Sequence, residues 1–152
     1  MKELAQLLNE MHTCGVIQAT LDADVLVAVP FPERLDALSD VYEFCAARGY
    51  RPEGEAFRVG AWPAQFVRVF SPLTREAMEQ AETADFEGGP FRVVGPSHLA
   101  VIARSVGRAR DYARILALLE SDSVSREEIG RLAGQHGLAE AWGRFEARFF
   151  GE

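Results

Sequence analysis

The sequence predicts an α+β protein: a small mixed β-sheet flanked by helices, followed by a C-terminal helical bundle. Two observations lead to this class. Up to residue 95, stretches with helical spacing alternate with short runs rich in valine and phenylalanine. From Pro96 onward the apolar residues keep helical spacing throughout. No internal repeat, low-complexity tract or long linker interrupts the 152 residues. The expected organisation is therefore an α/β part over residues 1–95, with a helical part over 96–152 packed on it.

The elements follow in order. Leu4, Leu7, Leu8 and Met11 place an apolar face on a helix over residues 2–13, and Gly15 closes it. Residues 21–29 read as one strand, since five apolar residues follow Asp24 before Pro30-Phe31-Pro32 stops the run. Residues 33–48 read as a helix with Leu35, Leu38, Val41, Tyr42 and Cys45 on one side, ended by Gly49. A turn over 51–55 leads to strands at 57–59 and 64–70. Ser71-Pro72 opens a helix over 73–83. Phe86, Gly88-Gly89 and the run 91–94 suggest a short strand pair or a single edge strand. Helices are then expected from Pro96 to Val106 and from Arg108 to Glu120. A further helix runs from Ser125 to Gly137, and the last reaches Phe149. Ser125 and Glu128 form a capping-box pattern, in which each side chain satisfies the other's orphan amide. Leu138, Trp142, Phe145 and Phe149 read as core packing on the last helix.

Composition narrows the function classes. With 48% hydrophobic and 26% charged residues the chain is an ordinary globular sequence, and a domain of this length buries about 68–70% of its unfolded surface. No apolar run approaches the length of a membrane span, and the N-terminus lacks a signal-peptide core, so a cytoplasmic protein without a membrane partner is expected. Cys14 and Cys45 have no metal-ligand spacing and read as reduced and structural. The net charge of −7 argues against general DNA binding, because phosphate binding needs a basic surface. His12, His98 and His136 are scattered, and Glu76 and Glu79 read as solvated bystanders on a helix.

Asp22 and Asp24 carry the sharpest chemical signal. In one continuous strand they would share a face, with Cα atoms about 6.5 Å apart. Like charges at that spacing are least costly with a cation between them, and Mg²⁺ held by carboxylates and substrate phosphates is the natural candidate. Solvated turn carboxylates are the plain alternative.

The order of motifs resembles the nucleotidyltransferase-fold superfamily, in the branch of small bacterial minimal nucleotidyltransferases and abortive-infection toxins. Thr20-Leu21-Asp22-Ala23-Asp24-Val25 resembles its T-x-D-x-D strand. Arg48-Gly49-Tyr50 resembles the helix end that follows. Gly60-Ala61-Trp62-Pro63-Ala64-Gln65-Phe66-Val67 resembles the strand that carries a third carboxylate. Ser97-His98-Leu99-Ala100 with Gly107-Arg108-Ala109-Arg110-Asp111 resembles a leucine-rich helix followed by G-R-x-K-D. The resemblance implies that Asp22 and Asp24 are catalytic residues and Mg²⁺ ligands, and that Arg108 and Arg110 contact the phosphates or the acceptor. Pairing of either arginine with Asp111 is the structural alternative.

Three departures bear on activity. No Gly-Gly or Gly-Ser turn precedes Asp22, as though a helix and a strand edge were missing between Gln18 and Ala19. Gln65 stands where the third carboxylate is expected, and an amide is a poor Mg²⁺ ligand and no base. Ala103 replaces an expected lysine, with Arg104 beside it. The resemblance therefore implies one of two functions. The first is Mg²⁺-dependent transfer of a nucleoside monophosphate from a nucleoside triphosphate to a protein, RNA or small-molecule acceptor. The second is a degenerate, non-catalytic module of the same fold that binds a nucleotide or a partner in a toxin–antitoxin manner. A sheet edge left open by the missing element would favour a homodimer.

Overall fold

The computed structural model describes residues 6–7, 19–21, 24–86 and 89–151, and its architecture is mixed α+β. The chain divides into two compact units, one formed by 1–71 with 78–94 and the other by 72–77 with 95–152.

The first unit is built on a seven-stranded mixed sheet. Its strands are β1 (Ala19–Leu21), β2 (Asp24–Val27), β3 (Arg51–Glu53), β4 (Ala56–Val59), β5 (Trp62–Arg68), β6 (Glu82–Phe86) and β7 (Gly89–Val93), in the spatial order β3-β4-β5-β2-β1-β7-β6. β2 and β5 pair in parallel, as do β1 and β7, and the other neighbours are antiparallel. Period-two alternation sends Val25 and Val27 of β2, Phe57 and Val59 of β4, and Ala64 and Phe66 of β5 into one core. Helix α1 (Ser39–Ala47) closes that core with Val41 and Cys45, and Leu7 joins it. Tyr42 tilts onto Phe57 and Phe57 meets Phe66 edge-on, at centroid distances of 5.4 and 6.2 Å.

Several boundaries differ from expectation. A single strand over 21–29 is not formed: β1 ends at Leu21, and β2 starts at Asp24 and runs antiparallel to it, with Leu21 opposite Asp24. The valine-rich run from 24 remains a strand because Val25, Leu26 and Val27 are all buried. The helix expected from residue 33 starts only at Ser39. Residues 31–37 run through turns closed by the Arg34 amide on the Phe31 carbonyl and the Ala37 amide on the Arg34 carbonyl, at 3.2 and 3.3 Å. A bidentate Arg34–Asp36 pair and the Asp36 carbonyl, which accepts from the Ser39 amide and hydroxyl, then organise the turn instead. Leu35, expected in the core, is fully exposed as a result. Residues 51–53 form a strand rather than a turn, because the tight reversal needs only residues 54 and 55, with Gly54 at φ 64°. The helix expected to residue 83 stops at Glu79, and 82–86 pair with 89–93 as a hairpin.

The second unit is helical. It contains the first six residues of α2 (Pro72–Glu79), then α3 (Pro96–Val106), α4 (Ala109–Glu120), α5 (Arg126–Gln135) and α6 (Ala139–Phe149). Its buried set includes Ala100, Val101, Ile115, Ile129, Trp142 and Phe145. Trp142 stacks on Phe145 at 5.1 Å, and Tyr112 of α4 meets Phe145 and Phe149 edge-on. The apolar stripe of α6 is thus core packing. Gly130 permits the close approach of α5 to α6, since a Cβ there would lie 3.2 Å from Trp142 Nε1. Arg104 Nε donates to the Ala141 carbonyl at 2.8 Å and ties α3 to α6. Residues 2–5 and 8–13 of the expected N-terminal helix, and Cys14, lie outside the described residues.

Candidate functional site

The expected metal pair is described only in part. Asp22 and His12 lie outside the described residues. Asp24 is the first residue of β2 and is half-buried, at the head of three buried apolar residues. The strand that contains Asp24 begins with it, so the continuous strand expected over 21–29 is not formed. The expected spacing of Asp22 and Asp24, about 6.5 Å, rested on that continuity.

β5 lies parallel to β2 with Gln65 paired to Asp24, and Ala56 of β4 is paired to Gln65 on the other side. Strand neighbours stand about 4.8 Å apart, so position 65 is adjacent to Asp24 in the sheet. The Gln65 side chain donates from Nε2 to Glu55 Oε2 at 3.3 Å. Glu55, in the β3–β4 turn, therefore brings a carboxylate to the place where the sequence puts an amide. Reading along the chain missed it, because ten residues and a strand reversal separate Glu55 from Gln65. Among the described residues no group of three His, Cys, Asp or Glu side chains is arranged to hold a metal ion.

Arg108 and Arg110 belong to the second unit. Gly107 ends α3 in the left-handed region at φ 73°, and Arg108 then caps α4. The Arg108 guanidinium donates to both carboxylate oxygens of Asp111, at 2.8 and 3.2 Å, and its backbone amide donates to the same carboxylate at 3.0 Å. Asp111 is 1% exposed. Burial alone pushes its carboxyl group up, but the hydrogen bonds from Arg108 outweigh burial and hold it below the ordinary carboxylate range. The G-R-x-R-D stretch is thus a helix junction in this chain: the glycine turns it, and the arginine and aspartate cap it. Arg110 is exposed on the first turn of α4.

The histidines do not remain scattered. His98 of α3 and His136 at the end of α5 converge on Glu76 of α2, with Nε2 atoms 3.2 and 2.7 Å from its two carboxylate oxygens. All three residues belong to the second unit. Burial pushes the Glu76 carboxyl group up, and the two imidazole hydrogen bonds outweigh it, so its pKa lies below the ordinary value. The sequence hid this cluster, since its members are 22 and 60 residues apart. Cys45 is buried as expected, and burial pushes its thiol up to about 11.

Comparison of the sequence with protein-family models finds no match, and comparison with curated proteins finds none either.

Proposed function

We propose that this protein is a nucleotidyltransferase-like module that takes a Mg²⁺–nucleoside triphosphate at the start of β2, with Asp22 and Asp24 as the metal ligands. The observation that supports this reading best is the parallel register of β2 and β5, which sets Gln65 beside Asp24. Strand neighbours stand close enough for side chains on both to reach one bound ligand. In the active form of this chemistry, carboxylate-bound Mg²⁺ stabilises the attacking and leaving oxygens while a nucleoside monophosphate moves to an acceptor. Asp22 and Asp24 would hold the metal.

A second reading, binding without turnover, is favoured by one observation. The third position carries a neutral amide, itself engaged by Glu55. An amide accepts no proton from an attacking hydroxyl. The two readings separate by experiment. Mg²⁺ with a nucleoside triphosphate should raise the melting temperature, and Asp24→Asn should remove the shift. No shift at millimolar ligand would count against both readings. Transfer of label from an α-labelled nucleoside triphosphate to protein or RNA would support turnover. Gln65→Asp, which restores a carboxylate in register with Asp24, should strengthen the Mg²⁺-dependent shift by about 1 kcal/mol or more of binding free energy.

A further inference from the structure

The first unit carries an apolar groove in acidic surroundings. A cleft of about 820 Å³ opens beside the start of α1, between residues 35–39 and the end of β5. It adjoins a hollow of about 420 Å³ against the β3–β4 turn. Tyr42, Gly54 and Glu55 line both, so the two lie side by side along one groove wall. Large apolar side chains stand there in solvent: Leu35 is 105% exposed, Phe70 65% and Tyr42 42%. Single exposed apolar residues are ordinary, but three lining one cleft mark an interaction surface.

Charge selects the occupant. Glu43 and Glu55 place carboxylates on the groove. Asp36 is matched by Arg34, and the cation Arg68 donates to the Arg34 carbonyl at 3.1 Å. The unit as a whole holds 14 acidic and 7 basic side chains, which accounts for the entire net charge of −7, whereas the other unit is balanced at 9 and 9. Two such acidic faces repel each other, and the same field repels a nucleic acid. A cationic segment is attracted, and an apolar anchor on it gives the three exposed side chains something to bury against.

We propose that this groove docks a basic peptide segment of a partner protein, with a large apolar side chain against Leu35, Tyr42 and Phe70 and lysine or arginine against Glu43 and Glu55. The groove shares Glu55 and Gln65 with the strand end proposed for the nucleotide, whereas Leu35 and Glu43 line it outside that site.

The test is selection of a phage-displayed random peptide library on the intact protein, followed by fluorescence anisotropy with the selected peptides. Selected sequences are expected to combine lysine or arginine with a large apolar residue, and to bind more weakly as salt rises. Leu35→Ser and Glu43→Lys should each weaken binding about tenfold or more while leaving the melting temperature unchanged, since both side chains are exposed. Three outcomes overturn the proposal: no enrichment, selected peptides that are acidic or uncharged, or binding indifferent to both substitutions. A dimer seen by light scattering that dissolves on Leu35→Ser also overturns it, and assigns the groove to a second copy of the chain.

Discussion

Asp111 shows how much a single buried side chain can decide. It is nearly sealed from solvent, yet three donors from Arg108 satisfy it. Removing its charge leaves an arginine and a helix amide short of their acceptor, so Asp111→Asn should destabilise the protein by about 1–3 kcal/mol in urea unfolding. The carboxyl group has a lower pKa folded than unfolded. Its contribution is therefore whole above the unfolded value of about 3.9 and is lost as pH falls through the folded value. The Asn variant should lose that part of the acid sensitivity, measurable as a smaller drop in stability between pH 5 and pH 3. Cys45 makes a second prediction at this scale. With its thiol buried and raised to about 11, it should resist alkylation in the native state at neutral pH and react once denaturant is added. An alkylation rate in the folded protein equal to that of a free thiol would show that the α1 core opens.

At the scale of elements, the helix termini explain where the sequence is easiest to read. Ser125 accepts from the Glu128 amide, and Glu128 accepts from the Ser125 amide, so α5 starts where the four-residue pattern places it. Ser125→Ala should cost about 1 kcal/mol in thermal or urea unfolding, and an unchanged stability would mean that the cap is redundant. The α3–α4 junction was legible for a similar reason, since Gly107 supplies the left-handed turn in three adjacent informative residues. The first unit was less legible. The run 21–29 has the composition of a single strand, but composition does not report a chain reversal, and β1 and β2 became two antiparallel strands. Leu35 fits a helical stripe by spacing, and the hydrogen-bonded turn before α1 left it in solvent. Of the candidate site, the Asp24 and Gln65 positions were legible as residues, and their pairing across β2 and β5 was not. The contribution of Glu55 was not legible, because it depends on strand register.

For the whole molecule, charge is distributed as unevenly as secondary structure. All of the net charge of −7 belongs to the unit that contains the sheet. Self-repulsion within that unit opposes its compact state, and salt screens it. The melting temperature should therefore rise by a few degrees when sodium chloride is raised from low to moderate concentration. A fall would show that attractive pairs, such as Arg58 with Glu53, outweigh the repulsion. No helix among the described residues is long and apolar enough to cross a membrane.

The amino-acid sequence alone determined the α+β class, the all-helical character after Pro96, the capping of α5 and the burial of Cys45. Each of these follows from local spacing or composition, which the chain carries within a few residues. The tertiary structure decided what depends on register and on packing between distant segments. It paired Gln65 with Asp24 across parallel strands, brought Glu55 to Gln65, gathered His98 and His136 onto Glu76, and left Leu35 at the mouth of an acidic groove. Those juxtapositions arise from strand pairing and helix packing, where residues far apart in the chain meet because burying apolar surface brings their elements together.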